Sequence, residues 1–195
     1  MRGRCRCCNC RISWRYPLIE LITGLTAAGL FLKFGFGFNF VCYFSLCCFF
    51  VIIAFIDLEH KLIFDSLTYP VLVIGFAASL VQGKRLFDPV MGILAGGGLL
   101  YLIAVLGQAY FKREAMGGGD IKLAAAMGAY LGARQIIILL AMASVLGALV
   151  GGFMLLTGKK ERREEIPFGP FMVLAGYAMI FFNRQITGFL TGNKI

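Results

Sequence analysis

A chain of 195 residues that is 59% hydrophobic and only 15% charged cannot clothe one soluble core in enough polar surface, which excludes an ordinary water-soluble domain. The formal net charge of +9 would suggest nucleic acid in a soluble protein. Here the basic residues fall between apolar runs, as they do in a chain oriented across a bilayer, so lipid and not nucleic acid is the expected environment.

Residues 1–16 come first, a basic piece with Cys5, Cys7, Cys8 and Cys10, too short to hold a core of its own without a metal or a missing neighbour. The start stays polar through Arg15, so no secretory signal peptide is visible. From Pro17 onward, residues 17–195 read as one membrane domain, because no connection is long enough to separate a soluble one. Five uncharged runs, 39–56, 66–82, 89–111, 135–158 and 166–183, each approach the roughly 20 residues that cross a bilayer. Two weaker segments, 18–32 with Glu20 and 120–133 with Asp120 and Lys122, bring the expected total to six or seven. Backbone in lipid must satisfy its own hydrogen bonds, and these runs lack the alternation of barrel strands, so the class is all-α and polytopic. Gly92/Gly96, Gly128/Gly132 and Gly147/Gly151 repeat at the spacing that lets membrane helices approach closely. Cys42, Cys47 and Cys48 lie inside the second span and read as small apolar packers.

Alternating seven spans from a cytoplasmic N-terminus puts thirteen of the nineteen Lys and Arg residues on the cytoplasmic side, which selects that orientation. Lys33, Lys84, Arg85, Arg134, Arg184 and Lys194 then face the far side. The same alternation gathers Asp57, Glu59, Asp65, Glu114, Asp120, Glu161, Glu164 and Glu165 at the cytoplasmic edge, where chemistry is therefore expected. Thiols in the N-terminal piece stay reduced there, so metal or no ligand is expected before a disulfide.

Asp57 directly follows the uncharged run ending Ala54-Phe55-Ile56, at a depth where an ionised carboxylate either faces a polar cavity or has a function. Its plain alternative is a hydrated acid that ends a span. Asp120 closes Met116-Gly117-Gly118-Gly119-Asp120, whose glycines would let an extended substrate backbone pass close by. Its plain alternative is an N-cap. Both acids fall on one side of the membrane and can meet. Two carboxylates in one low-dielectric site hold a single proton between them near working pH. The ionised member then takes a proton from an attacking water, while the protonated member donates to the peptide carbonyl oxygen and later helps the amine depart. Asp65, followed by Ser66, Leu67 and Thr68, reads as an N-cap for the third span; Lys122 reads as reaching the interface, and His60 as a solvated loop residue.

The segment Asp57-Leu58-Glu59-His60-Lys61-Leu62-Ile63-Phe64-Asp65-Ser66-Leu67-Thr68, taken with Gly117-Gly118-Gly119-Asp120-Ile121-Lys122-Leu123, resembles the type IV prepilin peptidases. Arg15-Tyr16-Pro17-Leu18-Ile19-Glu20 is similar to the start of that family's membrane core, and Ile166-Pro167-Phe168-Gly169-Pro170 to the start of a late helix. The likeness covers about residues 3–182. It implies that Asp57 and Asp120 are the catalytic pair of a GxGD-type intramembrane aspartic peptidase, supported by Gly117, Gly118, Gly119, Asp65 and Lys122. It further implies that the substrate is a prepilin or pseudopilin whose basic leader is cut at the cytoplasmic face of the bacterial inner membrane. Acids on that face offer such a leader an electrostatic attraction. Position 64 is Phe where the family usually has Pro.

The resemblance also carries two cofactor expectations. Longer members are N-methyltransferases that use S-adenosylmethionine, an activity associated with a cytoplasmic domain bearing two Cys-x-x-Cys pairs. This sequence keeps one such pair, Cys5 and Cys8, with Cys7 and Cys10 as an interleaved alternative, so methyl transfer and a zinc on Cys5 and Cys8 are both left open. Proteolysis needs neither. The rival readings are a non-catalytic relative acting as a membrane component of pilus or type II secretion assembly, and a transporter coupled to protons through its carboxylates, which acids at one edge disfavour.

Overall fold

The computed structural model describes residues 7, 10, 13–112, 116–157 and 166–191. They form seven helices: α1 (Arg15–Phe34), α2 (Phe38–His60), α3 (Asp65–Val81), α4 (Phe87–Phe111), α5 (Gly118–Leu131), α6 (Ala133–Leu156) and α7 (Gly169–Thr191). Each of the seven segments expected from the sequence is a helix, with its ends moved by a few residues. By length and composition, α1, α2, α4 and α6 can each cross a membrane, while Asp65–Val81 and the first part of α7, Gly169–Asn183, are shorter apolar helices. The protein is thus an all-α, polytopic membrane protein.

α5 organises the bundle. Its 14 residues rise only about 21 Å, well short of a roughly 30 Å hydrocarbon core. Such a helix is tolerated at membrane depth because protein surrounds it: Leu123, Ala124, Ala126, Met127, Gly128, Ala129 and Tyr130 are all buried. Small side chains make that enclosure close. A Cβ on Gly92 would run into the Gly128 carbonyl, and one on Gly96 into the Ala124 carbonyl, so α4 and α5 touch backbone to backbone. On the other flank, a Cβ on Gly75 would stand 3.3 Å from the Ala126 carbonyl oxygen and 3.1 Å from the Tyr130 Cβ, which brings α3 in.

The second expected pair completes this seam: a Cβ on Gly92 would stand 2.9 Å from the Gly132 Cα as well, and Gly132 (φ +89°) also turns the chain into α6 in a backbone conformation that suits glycine. Gly147 and Gly151 receive side chains, those of Phe171 and Ile166, and not a neighbouring backbone. Cys42 and Cys47 are buried in the α2 core as expected, and the Tyr177 hydroxyl of α7 donates to the Cys47 carbonyl. Within α7 the helical path breaks at Phe182. Nearby, Lys33 Nζ from α1 donates to the carbonyls of Ile180 and Phe181.

Candidate active site

Asp57 lies in the last turn of α2, not beyond the span, because the helix continues to His60 before Lys61 ends it in the left-handed conformation (φ 53°). A carboxylate at a helix C-terminus meets the negative end of the helix dipole. The fold offsets this by bringing the positive end of another helix against it. The first N–H of α7, from Gly169, donates to Asp57 Oδ2 at 3.0 Å. Asp57 is 4% exposed, so the hydrated span-end alternative does not hold. The segment Phe168-Gly169-Pro170 suits this contact, since Pro170 has no N–H to leave stranded and the Phe168 carbonyl takes the N–H groups of Phe171 and Met172. Gly169 is required sterically: a Cβ there would stand 2.6 Å from Asp57 Oδ2.

Asp120 is the third residue of α5, whose N-cap is Gly117 without any side-chain capping bond. The N-cap alternative for Asp120 therefore fails as well. Its Oδ1 is buried without a hydrogen-bond partner among the described residues. A buried acceptor left unmade costs free energy, and such atoms in folded proteins call for an explanation. Gly117 sits beside the other oxygen, where a Cβ would be 3.4 Å from Oδ2. Gly118 has open space at its Cβ position and is exposed, so the surface next to Asp120 is clear.

Ile63 joins the two halves. A Cβ on Gly119 would stand 2.7 Å from the Ile63 Cβ, and one on Gly169 would stand 3.2 Å from the Ile63 Cδ1. The Gly117–Asp120 turn and the start of α7 thus pack on one side chain, from the connection that follows Asp57. The charge of Asp57 reaches Asp120, and neither forms an ion pair among the described residues.

The other predicted residues are placed differently. Asp65 is the first residue of α3, with Phe64 at the N-cap position and no side-chain cap. The expected capping role is replaced by an ion pair in which both carboxylate oxygens lie 2.7 Å from Lys122 Nζ. Lys122 accordingly does not merely reach the interface but ties α5 to α3. The two groups face each other across the gap between helices, and a full charge is a stronger partner for Asp65 than its own backbone N–H groups. Glu59 pairs likewise with Arg15, joining α2 to α1. His60 is exposed and ends α2, so it is a helical residue and not a loop residue. Cys5 and Cys8, the zinc candidates, lie outside the described residues, as do Glu114, Glu161, Glu164 and Glu165. Among the described residues, no group of three or more His, Cys, Asp or Glu is arranged to hold a metal.

Gly169 and Ile63 were not singled out from sequence. The Pro167-Phe168-Gly169-Pro170 run marks a helix start, but nothing local shows that its free N–H meets an acid 112 residues away.

The Type IV leader peptidase family matches residues 44–152, a segment that holds both aspartates, and the Bacterial Peptidase A24 N-terminal domain matches residues 1–34. A prepilin leader peptidase/N-methyltransferase of Xanthomonas campestris pv. campestris is 35% identical over 195 residues, covering 97% of this chain and 67% of the relative. One of the same name from Aeromonas hydrophila is 36% identical over 188 residues, 96% of this chain and 65% of the relative. Another from Burkholderia pseudomallei is 38% identical over 193 residues, 98% of this chain and 62% of the relative. The chain therefore spans about two thirds of the length of the curated relatives it matches. No solved structure matches it. With more than half of its length matched, across the segment that carries Asp57, Gly117, Gly118, Gly119 and Asp120, the chain belongs to the type IV leader peptidase family.

Proposed function

We propose that this protein is an intramembrane aspartic endopeptidase that removes the leader from a prepilin or pseudopilin at the cytoplasmic face of the bacterial inner membrane, with its N-terminus in the cytoplasm. The observation that carries this reading is the convergence of Asp57, buried, and Asp120, half-buried with a buried Oδ1, on one cluster around Ile63, neither of them in an ion pair among the described residues. Two acids sheltered from water and from positive charge are arranged to share a proton.

The hydrogen bonds support a division of roles within this reading. Asp57, which accepts the Gly169 N–H, is the ionised member; Asp120 carries the proton. Asp57 takes a proton from water as the water oxygen bonds to the scissile carbonyl carbon, and Asp120 gives its proton to the carbonyl oxygen. As the tetrahedral intermediate collapses, Asp57 passes its proton to the departing nitrogen, the C–N bond breaks, and Asp120 recovers a proton from the hydroxyl. The pair returns to its starting state. Gly117 and Gly118 leave the space beside Asp120 clear for an extended peptide, while the Asp65–Lys122 pair holds α3 and α5 in register behind it.

The relatives are also named N-methyltransferases, which implies S-adenosylmethionine. A cavity of a size to hold such a group, about 650 Å3, lies at the other end of α5, lined by lysines and, among the described residues, without a carboxylate.

The test is cleavage of a prepilin by Asp57→Asn and Asp120→Asn, each scored in membranes where the variant accumulates to the wild-type level. Each should lose about 10^3-fold or more of activity. Retained cleavage in either one ends the proposal.

A further inference from the structure

The two acids sit on helices that share no broad interface. α2 packs chiefly on α1, α7 and α3, whereas α5 packs chiefly on α4 and α3. The spacing between Asp57 and Asp120 is therefore not fixed by one helix lying against the other. Two links reach α5 from the short stretch between α2 and α3: the Asp65–Lys122 ion pair and the Ile63 side chain. The ion pair is exposed, and an exposed pair holds position weakly. The other link is a half-buried apolar side chain packed against the core.

Ile63 meets a glycine at each end. A Cβ on Gly119, the residue before Asp120, would stand 2.7 Å from the Ile63 Cβ and 3.0 Å from its carbonyl oxygen. A Cβ on Gly169, whose N–H holds Asp57 Oδ2 at 3.0 Å, would stand 3.2 Å from the Ile63 Cδ1. With no side chain at either glycine, the isoleucine lies against backbone on both sides. Its length from Cβ to Cδ1 thus sets how far the start of α5 stands from the start of α7. Branching at Cβ restricts χ1, so that length is held stiffly where an unbranched chain would yield. Close-packed surroundings pass such a displacement on to their neighbours. Ile63 also follows α2 directly, beyond the left-handed Lys61 (φ 53°), so it is tied by the chain to the helix of Asp57 and by packing to the turn before Asp120.

We propose that Ile63 is a positioning residue that sets the separation of the two carboxylates, acting on Asp120 through Gly119 and on Asp57 through Gly169, without touching the substrate. This inference rests on the peptidase reading and deepens it. Two carboxylates that hold one proton between them work only between their two titrations, and those titrations lie further apart the closer the carboxylates are. Letting the acids drift apart lowers turnover and narrows the pH range of cleavage, while the substrate binds as before.

The experiment is prepilin cleavage by the full chain in detergent, with kcat and KM measured across pH and Tm recorded for the wild type, Ile63→Val and Ile63→Ala. Ile63→Val removes only Cδ1, the atom facing Gly169, and keeps the branch against Gly119, so kcat should fall about fivefold. Ile63→Ala removes the whole wedge, and kcat should fall about 10²-fold, the loss expected when reacting groups are misplaced by about 1 Å. In both variants KM should stay within about twofold of wild type. The pH range of cleavage should narrow, more in Ile63→Ala than in Ile63→Val. Val73→Ala, at an exposed position on α3, should change neither kcat nor the pH range. A raised KM with kcat unchanged would make Ile63 a substrate contact, and a lowered Tm with the wild-type kcat and pH range would make it packing alone; either result overturns the proposal. If Asp57→Asn is inactive while Ile63→Ala cleaves like the wild type, this proposal alone fails. If Asp57→Asn cleaves like the wild type, the peptidase reading has failed and the proposal falls with it.

Discussion

Within nine residues this chain holds two kinds of acid. Glu59 and Asp65 are exposed, and each faces a cation, Arg15 and Lys122. Asp57, between the end of α2 and the start of α7, is buried and has a single backbone N–H; Asp120 across from it has an oxygen with no described partner. The first kind joins helices at little cost, because exposed charges stay solvated and their pairing adds little. The second kind is expensive to keep, and nothing in the packing of α2 or α5 requires it. The difference teaches how the proposed reading divides the acids: the compensated ones serve architecture, and the uncompensated pair is left for chemistry.

That contrast can be broken at several points. The largest expected effect is on the frame that brings the pair together. In Gly92→Leu the side chain would have to occupy the Gly128 backbone, so α4 and α5 must separate. A destabilisation of about 3 kcal/mol or more is expected, read as loss of the protein from membranes and of cleavage together. Next comes Gly169→Ala, whose methyl falls 2.6 Å from Asp57 Oδ2 and must push the carboxylate aside. Cleavage should drop about 10²-fold with accumulation largely kept, a split that immunoblotting and a cleavage assay on the same membranes will show. The smallest effect belongs to the compensated acids: Asp65→Asn and Glu59→Gln should each stay within about fivefold of wild-type cleavage. A loss in Asp65→Asn as deep as that in Asp57→Asn would move Asp65 into the chemistry and erase the distinction.

Much of this was legible in the residues. Uninterrupted apolar runs mark lipid-facing helices because length and the absence of charge suffice, and all seven segments appear as helices. Topology and resemblance also point to Asp57 and Asp120 as a pair, and the structure sets both near Ile63. What sequence could not supply was the partner of each polar group. Asp65 reads as an N-cap because the residues after it begin a helix, yet a lysine 57 residues away takes the carboxylate instead. Gly169 belongs to a stretch that resembles a helix start, while its N–H meets an acid 112 residues away. The brevity of α5 likewise looks like a weak span, and only packing explains why a 14-residue helix belongs at the centre. Local signals name elements; which polar atoms meet is decided by the tertiary path.

The central claim is that Asp57 and Asp120 act as one unit. Residual prepilin cleavage by Asp57→Asn, Asp120→Asn and the double variant, normalised to the amount of protein in the membrane, tests it most directly. Members of a single catalytic unit are strongly non-additive, so all three variants should fall to the same floor. A double variant whose loss equals the product of two partial single losses, or a single variant that still cleaves, would contradict the account.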